Sequence, residues 1–361
     1  MGVFDEYRRR RPVEFDLGET AGAIGDLITV LPIVVGVAAL TELTLSRLLL
    51  GFGAFQVVWG LRYGVPVSVE PMKALAALVI AGTLTAGELA TAGLLAGVVL
   101  LVVGRTGTLD RVERYVGRPV IRGVQLGVGL LLLETGVRLS LDDVGLALLS
   151  AGIALLVVLA GYRKASALVV LCAGVGYAVT RVGLPAPQLP AVTVGVPTPA
   201  ASVAALEGTV AQLAMTVGNA AVATSVLLSE YYGADVTADE LATSMGVMNL
   251  VAVPLGALPM CHGSGGVAGK YAFGARPAGA NLILGAIYAG AAVLAVGVVA
   301  AFPLPMLGVV LGLIAVELGR AGLDTDHLPL TIGVGVVAVV TNVGVAFVAG
   351  VGASLVVERV S

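Results

Sequence analysis

The sequence predicts an all-α polytopic membrane protein, and three observations carry that prediction. Of the 361 residues, 58% are hydrophobic and only 12% charged, whereas a soluble domain is about half apolar and about a quarter charged. Too little polar surface remains to cover a water-soluble body of this size. Fifty residues are glycine, which membrane helices use for close backbone approach and soluble helices tolerate poorly. Apolar stretches long enough to cross the hydrocarbon core, about 20 residues each, recur along the whole chain.

Those stretches set the elements in order. Full spans are expected near residues 22–40, 47–63, 87–103, 119–137, 144–160 and 165–182, then, after a Pro-rich stretch, near 205–229, 241–258, 281–301, 304–318, 328–340 and 341–357. Two apolar pieces, near 71–82 and 265–273, are too short to span alone. The total is about 14 segments. The N-terminal residues 1–19 are charged and contain Arg8, Arg9, Arg10 and Arg11; they lack the apolar region of a secretory signal and read as a cytoplasmic tail.

The positive-inside rule tests the count. With the N-terminus inside, the cytoplasmic side receives Arg8–Arg11, Arg62, Arg105, Arg111, Arg114, Arg118, Arg163, Lys164, Lys270, Arg276, Arg320 and Arg359, and the outside only Arg47, Arg138 and Arg181. An even number of segments with both termini cytoplasmic fits that asymmetry. The Arg-, Ala-, Val- and Gly-rich, Lys-poor composition resembles that of proteins from GC-rich prokaryotic genomes, and on that resemblance the cell membrane is the expected location.

Internal symmetry is next. Gly25-Asp26-Leu27 in the first span corresponds to Gly218-Asn219-Ala220, and Val65-Pro66-Val67 to Leu258-Pro259-Met260; Asp26 to Asn219 and Pro66 to Pro259 are the same shift of 193 residues. Each short piece follows its Pro motif. Seven segments per half is odd, so the halves would be inverted relative to each other. Short segments interrupted by Gly or Pro at matching positions point to a carrier's binding site. A helix beginning inside the protein leaves its first N–H groups unpaired and its positive dipole end exposed, and an anion satisfies both. In the first piece, Val65 to Ala74, the alternation suits an extended approach, Pro71 the first helical position, and Glu70 the helix start. In the second, Pro259 to Tyr271, Ser264 suits the N-cap and the glycines let amides approach a ligand.

The string Pro259-Met260-Cys261-His262-Gly263-Ser264-Gly265-Gly266, continuing to Lys270-Tyr271-Ala272-Phe273-Gly274-Ala275-Arg276, resembles the signature of molybdate transporters related to the sulfate permeases. Pro66 with Pro71-Met72-Lys73 resembles that family's first-repeat motif, and Gly25-Asp26-Leu27 with Pro32 its first-span motif. The resemblance implies a 7+7 inverted repeat with two broken half-helices at segments 3 and 10. It divides the chain into residues 20–183 (core segments 1–4, gate segments 5–7), a Pro-rich inter-repeat loop over 184–204, and residues 205–361 (core segments 8–11, gate segments 12–14). It implies a tetrahedral oxyanion, molybdate first, held between segments 3 and 10 and moved by an elevator-like shift of core against gate. The residues so brought to the substrate are Ser68, Glu70, Met72, Lys73, Asn219, His262, Gly263, Ser264, Gly265 and Gly266, with Asp26 and Glu70 as coupling or core-polar groups. Glu70 stands where the family carries an amide. A carboxylate there repels an anion unless protonated or paired with Lys73, which raises proton coupling.

Other chemistry is thinly supported. Cys172 and Cys261 lie in apolar or Gly-rich stretches and His262 and His327 are far apart, so no metal and no cofactor is expected. No basic tract with interleaved aromatics points to nucleic acid. Ser264 to Tyr271 misses the phosphate-loop pattern at both ends, and Gly263-Ser264-Gly265 has no triad partners, so the chain does not read as an enzyme. The expected partners are the substrate and membrane lipid, with a homodimer left open. Sulfate, or a nucleobase or organic-anion carrier of the same fold, stays open at this point, the latter because of Glu70.

Overall fold

The computed structural model describes residues 13–109, 117–184, 186–187, 197–294 and 296–360. In chain order its elements are α1 (Leu17–Leu40), α2 (Leu45–Tyr63), β1 (Val69–Pro71), α3 (Lys73–Ile80), α4 (Ala86–Thr106), α5 (Arg118–Leu141), α6 (Val144–Leu159), α7 (Ser166–Val182), α8 (Val203–Tyr232), α9 (Ala238–Ala252), β2 (Met260–His262), α10 (Ser264–Ala272), α11 (Gly279–Leu294), α12 (Leu304–Leu323), α13 (Leu328–Val340) and α14 (Val343–Val360). A π-helical turn, Thr216–Val222, interrupts α8. Six of these helical stretches are long and apolar enough to cross a membrane, and four shorter ones are apolar in overall composition. The surface agrees: α6 buries only Ala147, Ser150 and Ala154 and exposes Leu148, Leu149, Leu155, Leu156 and Leu159. A helix that keeps its leucines outside is solvated by lipid, so this is a multi-pass membrane protein.

Helix ends follow local chemistry. Asp16 caps the amide of Glu19 at 2.8 Å, which starts α1 at Leu17 and shortens the expected tail of residues 1–19. Ser202 caps the amide of Ala205 at 3.0 Å and starts α8 inside the expected loop 184–204. Thr85 with Glu88, and Thr237 with Glu240, form capping boxes at α4 and α9. Residues 1–12 and Arg111 and Arg114 lie outside the described residues.

The two short helices are each preceded by a three-residue strand, and the strands pair antiparallel with Val69 opposite His262, Glu70 opposite Cys261 and Pro71 opposite Met260. Val69 and His262 are themselves 193 residues apart, the shift that relates the sequence motifs, so the pairing brings together positions that correspond in the two halves. Every residue of both strands is buried. The outer edges are closed by side-chain amides. Gln56 on α2 donates to Val69 O at 3.2 Å. Asn249 on α9 donates to Met260 O at 2.7 Å and accepts from Met260 N at 2.8 Å. Gln56 and Asn249 are also 193 apart.

Helix pairing divides the bundle. α1 packs on α10, α2 on α11 and α4 on α9 around the strands, while α5 packs on α12 and α13, with α6 and α7 beside them. Small residues let these pairs close: a β-carbon on Gly104 would lie 2.6 Å from Asp239 O, and one on Gly246 would lie 2.6 Å from Leu101 N. Those contacts are backbone and cannot swing aside.

Gly246→Ala is therefore expected to lower stability by about 1–3 kcal/mol through overpacking, whereas Gly290→Ala, inside α11 with nothing within 4 Å of its added carbon, is expected to leave it unchanged or raise it by up to about 1 kcal/mol. Thermal unfolding of the detergent-solubilised protein checks the pair.

Candidate functional site

Pro66 and Pro259 start the two approaches to the site. A residue before proline is pushed towards extended backbone, which holds Val65 and Leu258 out of the preceding helices. Pro71 has no N–H to donate, and it belongs to β1 rather than to the first helical turn. Met72 is the N-cap of α3 and Lys73 its first residue; Met72 N–H donates to Pro259 O at 2.9 Å across the strand pair. In the second piece the N-cap is Gly263, and Ser264 is the first helical residue. The first helix thus starts two residues later than expected, because strand pairing continues through Pro71, and the second starts one residue earlier, with Gly263 rather than Ser264 as its cap.

The strand pair points the N-termini of α3 and α10 at a shared space. At α3, the amides of Ala74 and Leu75 are capped by Gln212 Oε1 of α8, at 2.9 and 3.4 Å. At α10, Gly266 N–H donates to Glu70 Oε1 at 2.7 Å. The second carboxylate oxygen, Oε2, pairs with Lys73 Nζ at 2.7 Å. The pairing with Lys73 that an anion site requires of Glu70 is therefore present. Among the described residues, the backbone amides of Ser264 and Gly265 have no protein acceptor. Gly265 is exposed, and Ser264, Lys73 and Thr29 are half-buried. These four line an opening onto the ends of the half-helices.

Two glycines are required there for space. A β-carbon on Gly263 would overlap the Glu70 carboxyl group, and one on Gly266 would overlap Asp26 and Ser68.

Beneath the opening lies a closed polar core. Asp26 and Lys270, both fully buried, pair at 3.1 Å. Asp26 also accepts from Ser68 Oγ at 2.5 Å and from Gln56 Nε2 at 2.7 Å. Lys270 Nζ donates to Val67 O at 2.7 Å, Gln56 Oε1 at 3.0 Å and Asn281 Oδ1 at 3.0 Å. Lys270, which the charge pattern assigns to a cytoplasmic loop, is instead the central cation of this network. A buried ion pair is tolerable when every remaining lone pair and proton finds a partner, and here the partners come from α1, α2, α10, α11 and the segment before β1.

The remaining candidates take supporting positions. His262 Nδ1 lies 3.0 Å from Ser68 O and Nε2 lies 2.7 Å from Ser244 Oγ. A carbonyl only accepts, so Nδ1 carries the proton. The ring is fully buried, edge-on to Trp59 and Tyr63, and does not reach the opening. Met72 is fully buried. Asn219 lies in the π-helical turn; its side chain falls outside the described residues. Sequence reasoning missed Gln56, Gln212, Lys270 and Asn281. Gln56 and Gln212 could have been found as single amides inside otherwise apolar stretches.

Comparison with known proteins places this geometry. The chain matches the family described as molybdate transporter of the MFS superfamily over residues 18–132 and 204–318. Two Arabidopsis thaliana proteins named molybdate transporter 2 and molybdate transporter 1 are 28% and 29% identical to it, over 88% and 90% of this chain and 82% and 84% of theirs. Among solved structures, the transmembrane domain of a cyanobacterial bicarbonate transporter superposes with a TM-score of 0.64 at 18% identity, covering 92% of this chain and 97% of that one. The murine solute carrier 26 family member A9 anion transporter, in its inward-facing state, gives 0.68 at 14% identity, covering 97% of this chain and 69% of that one. At these identities the structural likeness speaks for the fold alone.

Removing one partner from the buried pair leaves an uncompensated charge. Asp26→Asn and Lys270→Met are each expected to cost about 3–5 kcal/mol, and the double variant less than the two together. A double-mutant cycle on the unfolding of the purified protein reads this directly.

Proposed function

The chain belongs to the molybdate transporter family, and from that premise we propose that it is a secondary active carrier of a tetrahedral oxyanion, molybdate first. The observation that carries the reading is the pair of half-helix ends, with the amides of Ser264 and Gly265 unclaimed and the half-buried ammonium of Lys73 beside them. Unclaimed backbone amides at a helix N-terminus, with the helix dipole behind them, bind an oxyanion directly. The substrate sits between α3 and α10, held by Ser264, Gly265 and Lys73. Glu70, Gly263 and Gly266 border it, and Ser68, Met72 and His262 are buried behind them. Asn219, at the repeat position of Asp26, belongs to the same set. Coupling, where a co-ion is used, falls on the two carboxylates at the site, Asp26 and Glu70. Molybdate is favoured over sulfate by family membership rather than by shape, since both are tetrahedral dianions. A nucleobase or organic-anion carrier would need a free carboxylate to grip a ring, and Glu70 is already held by Lys73 and Gly266.

The proposed architecture is seven segments plus seven, inverted, over residues 20–183 and 205–361. Supporting it are the shared 193-residue shift and the short helices at the third and tenth places. Segments α1–α4 with α8–α11 form the transport core and α5–α7 with α12–α14 the gate, the grouping favoured by helix packing. Because the substrate lies wholly within core elements, an elevator-like movement of core against gate moves it across the membrane without dismantling its site. The carrier resides in the cell membrane with both termini cytoplasmic.

Uptake of labelled molybdate into proteoliposomes checks the reading. Saturable uptake resisting excess sulfate is expected for wild type. Ser264→Ala, which removes a hydroxyl beside the free amides, is expected to weaken it by about tenfold, the loss of one hydrogen bond to a charged group. Lys73→Met is expected to lose more. No saturable uptake under any proton or sodium gradient would contradict the proposal.

A further inference from the structure

We infer that Glu70 is a tethered anion that competes with the substrate for Lys73 and the end of α10, and so sets both the affinity and the charge class of what binds. This rests on the oxyanion reading above and adds to it a specificity-determining residue.

The argument is geometric. The Glu70 carboxylate is fully buried, and its two oxygens take the two kinds of donor an oxyanion would seek. Oε1 holds the Gly266 amide at 2.7 Å and Oε2 holds the Lys73 ammonium at 2.7 Å. The other groups facing it leave it no further cation. Thr29 places its hydroxyl 3.4 Å from Oε1 but donates more closely to Asp26 O, at 2.9 Å. Lys270 is committed to Asp26. Cys261, opposite Glu70 in the strand pair, directs its sulfur to Pro71 O at 3.7 Å.

Charge counting then decides the consequence. The ionised side chains at the site are Asp26, Glu70, Lys73 and Lys270, two of each sign, so they cancel. What remains for an anion is the dipole ends of the two half-helices, each equivalent to roughly half a positive charge. A dianion gains little over a monoanion in such a site, because its second charge meets the Glu70 carboxylate across Lys73. It binds loosely enough to leave, which a carrier needs as much as capture. An amide in place of the carboxyl group would still accept from the Gly266 N–H but would release Lys73 to the substrate and leave the site with one net positive charge.

The test compares two tetrahedral oxyanions of like shape and different charge, molybdate (dianion) and perrhenate (monoanion), by calorimetric titration of the purified full chain. Wild type is expected to prefer molybdate by less than about tenfold. Glu70→Gln is expected to bind molybdate on the order of tenfold tighter than wild type, with a smaller change for perrhenate, so that the preference itself shifts towards the dianion. Molybdate binding unchanged or weakened in folded Glu70→Gln protein, or tightened equally for both anions, would overturn the inference. If the variant does not fold, a wild-type preference for molybdate beyond about a hundredfold overturns it alone. Wild type that binds molybdate in either case leaves the oxyanion reading standing; wild type that binds neither anion overturns both.

Discussion

An extended backbone inside a membrane protein must send its N–H and C=O groups to another stretch of backbone or to polar side chains, since lipid offers no partner. That constraint organises this molecule. Interrupting two helices frees polar groups that would each cost several kcal/mol if left alone. The chain answers by bringing the two interruptions together, 193 residues apart in sequence and paired strand to strand. Gln56 and Asn249 close the outer edges. Neither half-helix can be placed without the other, so the strand pairing fixes both ends that make the site.

The pairing in turn demands the polar core. Lys270 reaches from α10 to Val67 O and to Asp26 of α1, tying the second half-helix to the approach of the first. Asn281 repeats the tie from α11 to the same carbonyl, at 2.7 Å. Because these groups are mutually satisfied, the ionised pair acts as a fixed strut rather than as a ligand. Glycine at 263 and 266 keeps the strut and Glu70 within reach of the helix end. The groups left with something to offer a solute are few: two amides, a hydroxyl and a lysine that Glu70 already holds.

Much of this was legible in the sequence, for reasons that differ by element. The spans could be read because apolar length is a direct consequence of bilayer thickness; the helix at Leu328–Val340 has the predicted bounds. The half-helices could be read because proline and glycine are poor residues for an uninterrupted span, and their recurrence marks a break. What could not be read was anything decided by a partner far along the chain. Pro71 looks like a helix start until Met72 N–H is seen bonded to Pro259 O. Lys270 looks like a loop charge because it closes a short apolar piece; only the carboxylate of Asp26, 244 positions earlier, makes burial affordable. Gln212 is unremarkable until α3 is placed against it. His262 sits in the most recognisable motif, yet its ring turns inward to Ser68 and Ser244, since sequence fixes which residues are near the site but not which way they face.

The central claim is that the oxyanion binds between the two half-helix ends. Molybdenum scatters anomalously, so a crystal of the full chain with bound molybdate, measured across the molybdenum absorption edge, locates the ion without reference to the fold. A single strong anomalous peak within hydrogen-bonding reach of the Ser264 and Gly265 amides and the Lys73 ammonium is the result the account predicts. A peak between gate helices, or against the Asp26–Lys270 pair, would contradict it.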